Sequence, residues 1–384
     1  MDMVADTLSD FQQEGKKLIK NCFQSKNNHQ IENILSNLHT IKGNAGTLGI
    51  DKVAKSAADL EHQLKKGDHS NLENGLKLLK INFEKFQDQK LKLYLDVAEK
   101  YYDISALRYI AELEAKQLQI LKDLKSIVKS NYENNKANLV DILRVELQID
   151  KQLSVIQVLK DQDQALATQL NQLMNRQLKT PVLISNPKQI LDQKEVMQMD
   201  SVSKNHPRLE AIRHLKESNK AESVLAKKQA MPQFGLGLDY AIIQDRNVMN
   251  ADAGQDAIMP MLSVSLPIFG KKNKSRKREA SLQGESIQFQ LENEKTRLET
   301  EIQVAQYKQD ELYSLLDLYE KQLLNLQDIL QLSEVALANA SMEIEEVLRL
   351  EEERLLYEKQ QAKTLANLQK LNETLIYLTS NSEL

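Results

Sequence analysis

The chain has 384 residues, enough for two or three domains, and 41% of them are hydrophobic, which supports a core and excludes a disordered chain. A net charge of −4 gives no reason to expect nucleic acid or an acidic substrate as partner. The single cysteine, Cys22, excludes an intrachain disulfide and a cysteine metal cage.

In chain order, the start MDMVADTLSDFQQEGKK lacks the basic residues and the apolar run of about 7–15 residues that make a secretory signal. Nowhere is there an apolar run of the roughly 18 or more residues that a membrane-spanning helix needs. Four helices are predicted at about 7–24, 28–46, 51–66 and 70–90, with Gly67 and Asp68 breaking the third from the fourth. Leu38–Gly49 reads LHTIKGNAGTLG. On a helix, Lys42 lies on the same face as His39, and Gly43 lies directly beside it. Gly46 continues that bare stripe. A histidine satisfied inside a core would have large apolar residues at these positions. This one reads as exposed, with a cation on the same face.

These residues resemble the histidine phosphotransfer (HPt) family over about 8–88, with the His-x-x-Lys-Gly pattern at His39–Gly43. Leu60, Glu61 and Leu64 resemble that family's second signature, on the helix beside the active histidine. The resemblance implies a four-helix bundle over 1–90 with His39 as phosphoacceptor, through Nε2. Lys42 would support the phosphoryl group, and Gly43 and Gly46 would leave room for a response-regulator receiver domain. That receiver supplies the aspartate and the Mg2+, so no cofactor is expected on this chain. A glycine-rich phosphate loop is absent, and with it a kinase ATP site.

Residues 76–180 and 285–384 contain neither glycine nor proline, which predicts long helices. Ile110, Leu113, Ile120, Leu124 and Ile127 follow coiled-coil spacing, with Gln117 as a polar miss. Leu139, Ile142, Ile149, Leu153 and Ile156 do the same, with Glu146 as the miss. Leu312, Leu316, Tyr319, Leu323, Leu326 and Leu330 repeat the pattern, and so do Leu368, Leu371, Leu375 and Leu378. A helix over 287–335 would be roughly 70 Å long. Asn134–Glu146 (NNKANLVDILRVE) and Asn339–Glu351 (NASMEIEEVLRLE) correspond at a constant offset of 205 residues, so two helical hairpins are related by duplication.

All six prolines and five of the eleven glycines fall in 181–284, which marks the non-helical part. Phe234, Leu236, Leu238 and Tyr240 alternate with Gly235, Gly237 and Asp239, the period of a strand. A polar stretch over 244–257 leads to a second strand at 258–269. Each strand is close to the roughly 9–11 residues that cross an outer membrane when tilted.

Together, Asn205–Pro207, the helix to Ala230, the strand pair 234–243/258–269 closing at Leu266–Gly270, and the long hairpin after it resemble the TolC family of outer-membrane efflux proteins. The resemblance covers about 95–384. The fold class it implies is mainly α: the N-terminal HPt bundle, then long antiparallel coiled-coil hairpins with one strand pair of a TolC-like barrel. The domains would be 1–90, a first truncated hairpin over 91–180, a linker over 181–204, and a second repeat over 205–384. The family assembles as a homotrimer in the outer membrane and meets a periplasmic adaptor and an inner-membrane pump. The turns near 131–138 and 338–343 would be the periplasmic tips, with Glu343, Glu345 and Glu346 as candidates by position for controlling cations there. A solvated helix face is the plainer reading of these three. The first repeat begins inside its long helix near Leu95–Tyr102, so three such subunits would supply six strands.

Other signals are weaker. His29, His62, His69, His206 and His214 have no metal-ligand spacing and are assigned surface or packing roles. Lys271–Arg278 (KKNKSRKR) is read as a charged membrane-edge segment rather than a nucleic-acid patch. Met197, Met199, Met249, Met259 and Met261 are read as apolar filling rather than a soft-metal path. Two functions therefore stand side by side. One is a passive, non-enzymatic efflux-conduit component carrying an HPt module, located at the outer membrane. The other is a cytoplasmic HPt phosphocarrier whose efflux segment is a non-functional remnant of gene fusion, joined at 86–98.

Overall fold

A computed structural model describes residues 2–27, 30–67, 72–192, 204–242, 256–266 and 270–380, with backbone only for 2–9 and 27. The architecture is mainly helical with one antiparallel strand pair. Two compact units form: residues 1–86 with 208–294, and residues 87–207 with 295–384.

In the first unit, α1 (Asp2–Asn27), α2 (Ile31–Thr47), α3 (Asp51–Lys65) and the start of α4 (Leu72–Glu133) make the expected bundle. The apolar stripe of α2 has helical spacing: Ile34, Leu38, Ile41 and Ala45 are all fully buried. Just past the end of α2, Gly49 takes a φ of +70° that suits glycine, and Ile50 N–H closes the turn on Ala45 O at 2.8 Å. The core of the bundle includes Phe11, Cys22, Leu60, Leu76, Leu79 and Phe83. The fourth helix does not stop near residue 90. It runs on to Glu133, because 76–133 holds no residue that breaks a helix.

The same unit contains α7 (Pro207–Lys228), β1 (Gln233–Ala241), β2 (Ala257–Ser265) and the start of α8 (Gly270–Ala338). Pro207 takes the first helical position, where its missing N–H costs nothing. β1 and β2 pair from Gln233↔Ser265 to Ala241↔Ala257. Residue 243, the loop 244–255 and residues 267–269, the expected strand ends and part of the closing motif, lie outside the described residues. The last long helix but one starts at Gly270, well before the expected 287, so Lys271–Arg278 is helical rather than a separate segment. Gly284 does not interrupt it. A Cβ there would lie 2.8 Å from Asn219 Oδ1, so the glycine admits the neighbouring helix α7.

In the second unit, the rest of α4 and α8 pack with α5 (Leu139–Leu173), α6 (Pro187–Leu191) and α9 (Ile344–Thr379). The duplication is visible atom by atom at the turns. Asn135 and Ala340, which stand at the repeat offset, both take left-handed φ, 57° and 56°. Lys136 N–H bonds Asn131 O at 2.8 Å, and Ser341 N–H bonds Ala336 O at 2.9 Å. Asn138 caps α5 in a reciprocal box with Asp141. Gln117, the polar miss in the α4 seam, is buried and accepts from Arg354 Nη2 at 2.9 Å. The expected α5 seam is met in part: Ile142 and Ile149 pack against a buried cluster, whereas Leu139 and Leu153 are about half exposed and Val145 and Gln152 are buried. Gln152 donates to Glu114 O at 2.8 Å. Residues 181–191 are packed rather than free. Arg108 holds Asp163 through two nitrogens and donates to Val182 O at 2.7 Å, and Gln369 donates to Leu191 O at 3.1 Å. No helix among the described residues is long and apolar enough to cross a membrane.

Candidate functional site

The site on the first unit follows from one helical step. Leu38 lies at the bottom of the α2 stripe, so His39, a step of about 100° further round, must leave the core. Its side chain is 72% exposed. From α3, Leu60 and Leu64 enter the core, and Glu61 between them is carried to the seam with α2. Glu61 is 4% exposed at its side chain and satisfied on both oxygens. His39 Nδ1 faces its Oε1 at 3.2 Å, Lys65 Nζ donates to Oε1 at 2.6 Å, and Lys42 Nζ donates to Oε2 at 3.1 Å.

Hydrogen bonds from Lys65, Lys42 and His39 outweigh the cost of burial and hold the Glu61 carboxyl at about 2. The group is therefore a carboxylate near neutrality and can only accept. It follows that Nδ1 donates in this contact, so that in a neutral ring the lone pair is on Nε2. Added Cβ atoms on Gly43 and Gly46 would meet nothing within 4 Å, so the helix surface beside the histidine is open. The sequence pattern brought His39, Lys42, Gly43 and Gly46 to one face, and the structure places them there. Lys65 was missed. Its signal was present in the i, i+4 spacing from Glu61, which aligns the pair along α3.

The depressed Glu61 carboxyl carries a pH expectation. Its folded value lies below the ordinary 4.5. Its contribution to stability is thus present above about 4.5 and lost as pH falls toward about 2. A Glu61→Gln chain should lose this segment of the acid-unfolding curve and keep the rest. Superimposable acid titrations of the two proteins, followed by amide exchange in α2 and α3, would contradict it.

At the paired turns of the second unit, Asn131 Nδ2 donates to Leu337 O at 3.0 Å across the two hairpins. Glu343 is the exposed N-cap residue of α9 and makes no side-chain cap bond. Glu345 pairs with Arg144, and Glu346 with Arg349 at 3.0 Å. Arg349 beside it lowers the Glu346 carboxyl below the usual range. The three glutamates thus share a surface, and two of them are engaged by the chain's own arginines. His206 is buried, with Nε2 3.3 Å from Tyr377 O, and His214 is buried beside Glu210 and Glu217, so both have packing roles. His62 is exposed; His29, His69, Met197, Met199 and Met249 lie outside the described residues.

A four-helix bundle thus presents one histidine beside a lysine and a glycine stripe. Residues 6–89 match the Hpt domain family. Among curated proteins nothing matches the chain. Solved structures show the fold of most of it. The outer membrane protein VceC of Vibrio cholerae aligns with a TM-score of 0.66 at 15% identity, over 82% of this chain and 76% of that one. The outer-membrane channel OprN aligns at 0.65 and 14%, over 80% and 70%. CusC aligns at 0.64 and 16%, over 87% and 75%. The long hairpins and the strand pair therefore share the fold of these solved outer-membrane proteins.

Proposed function

We propose that the Hpt domain is a phosphocarrier that takes a phosphoryl group on His39 Nε2 from a response-regulator receiver domain and returns it to one. The observation that carries this reading is the Glu61 carboxylate on Nδ1 of a ring that is otherwise open to solvent. In the transfer, the Nε2 lone pair attacks phosphorus, the bond from phosphorus to the receiver's aspartate oxygen breaks, and the aspartate leaves as a carboxylate. Nδ1 keeps its proton, so the ring gains a positive charge, and Glu61 offsets that charge at 3.2 Å. Lys42 stands on the same face to meet the phosphoryl oxygens. The receiver brings the Mg2+ and the chemistry of its own aspartate; the Hpt side is a carrier rather than an enzyme. The test is to incubate the chain with phosphorylated receivers and map the label. It should be acid-labile and reside on the peptide containing His39. Label on any other residue, or none from any receiver, would reject the reading.

A second reading covers the remainder: a homotrimeric efflux-conduit subunit in the outer membrane, meeting a periplasmic adaptor and an inner-membrane pump near residues 131–138 and 338–343. It is favoured by the shared channel fold and by the apolar face of the strand pair. A heat-resistant trimer in the outer-membrane fraction would support it, and a monomer confined to the soluble fraction would refute it.

A further inference from the structure

The four-helix bundle and α7 lie in one compact unit. Lys77, Lys80 and Glu84 stand at i, i+3 and i+7 on α4, and Glu210, His214 and Glu217 stand at i, i+4 and i+7 on α7. Each set therefore lines one helix face. The two faces meet in opposite order. Lys77 Nζ donates to Glu217 O at 3.2 Å. The Lys80 charge reaches His214, and the Glu210 charge reaches Glu84. The last rung of this ladder thus sets one carboxyl against another.

Glu84 is 6% exposed, and its Oε2 is buried with no hydrogen-bond partner among the described residues. Burial, with the Glu210 charge in the same sense, pushes the Glu84 carboxyl up to about 7, against the pull of Lys16 on α1 and of Lys80. Glu210 has partners of its own: Arg213 Nη1 donates to it, and His214 Nε2 lies 3.6 Å away. His214 is buried too. Burial holds its ring below the ordinary 6.5, with Lys80 acting in the same sense and Glu217 and Glu210 against it. Packing alone does not call for a carboxyl at position 84, since an amide of the same shape would fill the space without an ionisable group.

We propose that this seam is a pH-operated latch: α7 is held against the bundle while Glu84 is protonated, and is released as Glu84 ionises. The latch rests on neither functional reading above. Separation of α7 returns Glu84 to water, where its ordinary value is 4.5. The closed seam keeps the proton that the open seam loses, so closing and proton binding are linked. The value in the closed seam is the raised one. The seam is therefore tightest below 4.5 and weakens as pH rises, with the loss complete a little above 7. Over that window the equilibrium should move toward the open seam on the order of 100-fold. His214 works in the other direction: its value in the closed seam is lowered, so its contribution is lost as pH falls below 6.5. His214 is unchanged in a Glu84 variant, and its effect cancels when variant and parent are compared.

The test is amide hydrogen exchange of the full chain between pH 4.5 and 8, for the parent and for Glu84→Gln. The quotient of the two rates at each pH removes the chemical dependence of exchange on pH. For α7 amides the quotient, parent over variant, should rise on the order of 100-fold across this range. For α5, which lies in the other unit, it should stay flat. At pH 8 α2 should remain better protected than α7, because the bundle stays folded when the latch opens. Glu84→Leu repeats the comparison if the amide variant folds poorly. The carboxyl carbon-13 signal of Glu84, assigned by its loss in the variant, should titrate near 7. Glu210→Gln should move that midpoint down. A flat α7 quotient, exchange of α7 and α2 as one body, or a Glu84 midpoint at the ordinary 4.5 would overturn the latch.

Discussion

Replacing His39 with glutamine is expected to abolish phosphoryl uptake from a phosphorylated receiver while leaving the bundle folded. The side chain is 72% exposed and contributes nothing to the core, which Leu38 and Ile41 supply from the same helix. Its hydrogen-bonding partner among the described residues, Glu61, remains held by Lys42 and Lys65. A stability change within about 0.5 kcal/mol is therefore expected, as for a surface substitution. The loss is chemical: an amide nitrogen has no available lone pair to attack phosphorus. Glu61→Gln separates positioning from chemistry. The amide oxygen can still accept from Nδ1–H, but it carries no charge to offset the ring's new positive charge. Losing the charge-assisted part of a hydrogen bond worth about 1.5–3 kcal/mol, at tenfold per roughly 1.4 kcal/mol, predicts transfer slower by about 10- to 100-fold. Time courses of label transfer measure both. Full labelling of the glutamine variant at position 39, or parental rates for the variant at 61, would remove the assigned roles.

The histidine face was legible in the sequence because a helix turns residue spacing into direction. His39, Lys42, Gly43 and Gly46 needed only the 3.6-residue period to meet. Glu61 was reached only through resemblance, since nothing local says that a residue of α3 will face α2. That meeting depends on how Leu60 and Leu64 seat against Leu38, a tertiary fact. The long hairpins were legible from the absence of breakers, and the duplicated turns from the 205-residue offset. Helix ends were less legible. The start of α8 was hidden because Gly270, Gly284 and a run of like charges all argue against helix locally. Gly284 is tolerated because α7 comes close enough for Asn219 to occupy the space of a side chain. The α5 seam was legible in part: Ile142 and Ile149 turn inward as the heptad says, while Leu139 and Leu153 stay half exposed and Gln152 is buried on Glu114. On the strand pair, alternation identified the faces, and the pairing added that both strands place most of their apolar residues on one side, with Met259 and Met261 on the other.

Phe83→Ala is expected to be the most damaging single change in the phosphotransfer bundle, at about 3–5 kcal/mol. Phe83 is buried at the base of α4 in a cluster with Phe11 and Phe86, with ring centroids 5.9 and 6.1 Å away. Its ring fits because α1 offers a glycine there: a Cβ on Gly15 would lie 2.6 Å from Phe83 Cε2. Gly15→Ala alone should therefore destabilise by overpacking, about 1–3 kcal/mol, less the roughly 1 kcal/mol that alanine gains over glycine in a helix. The two sites face each other, so their effects should not add. Leucine at 83 lacks the ring edge that crowds the new methyl. The pair Gly15→Ala with Phe83→Leu should thus cost less than the sum of its singles. A two-unit chain need not unfold in one step, so the readout is native-state hydrogen exchange of α1 and α2 amides rather than a global midpoint. A loss of 3–5 kcal/mol is a large share of the roughly 5–15 kcal/mol that holds a domain folded. Phe83→Ala should therefore also reduce label uptake on His39, although no atom of Phe83 takes part in the transfer. Strict additivity of the singles would show that Gly15 and Phe83 are not the lock that the geometry describes.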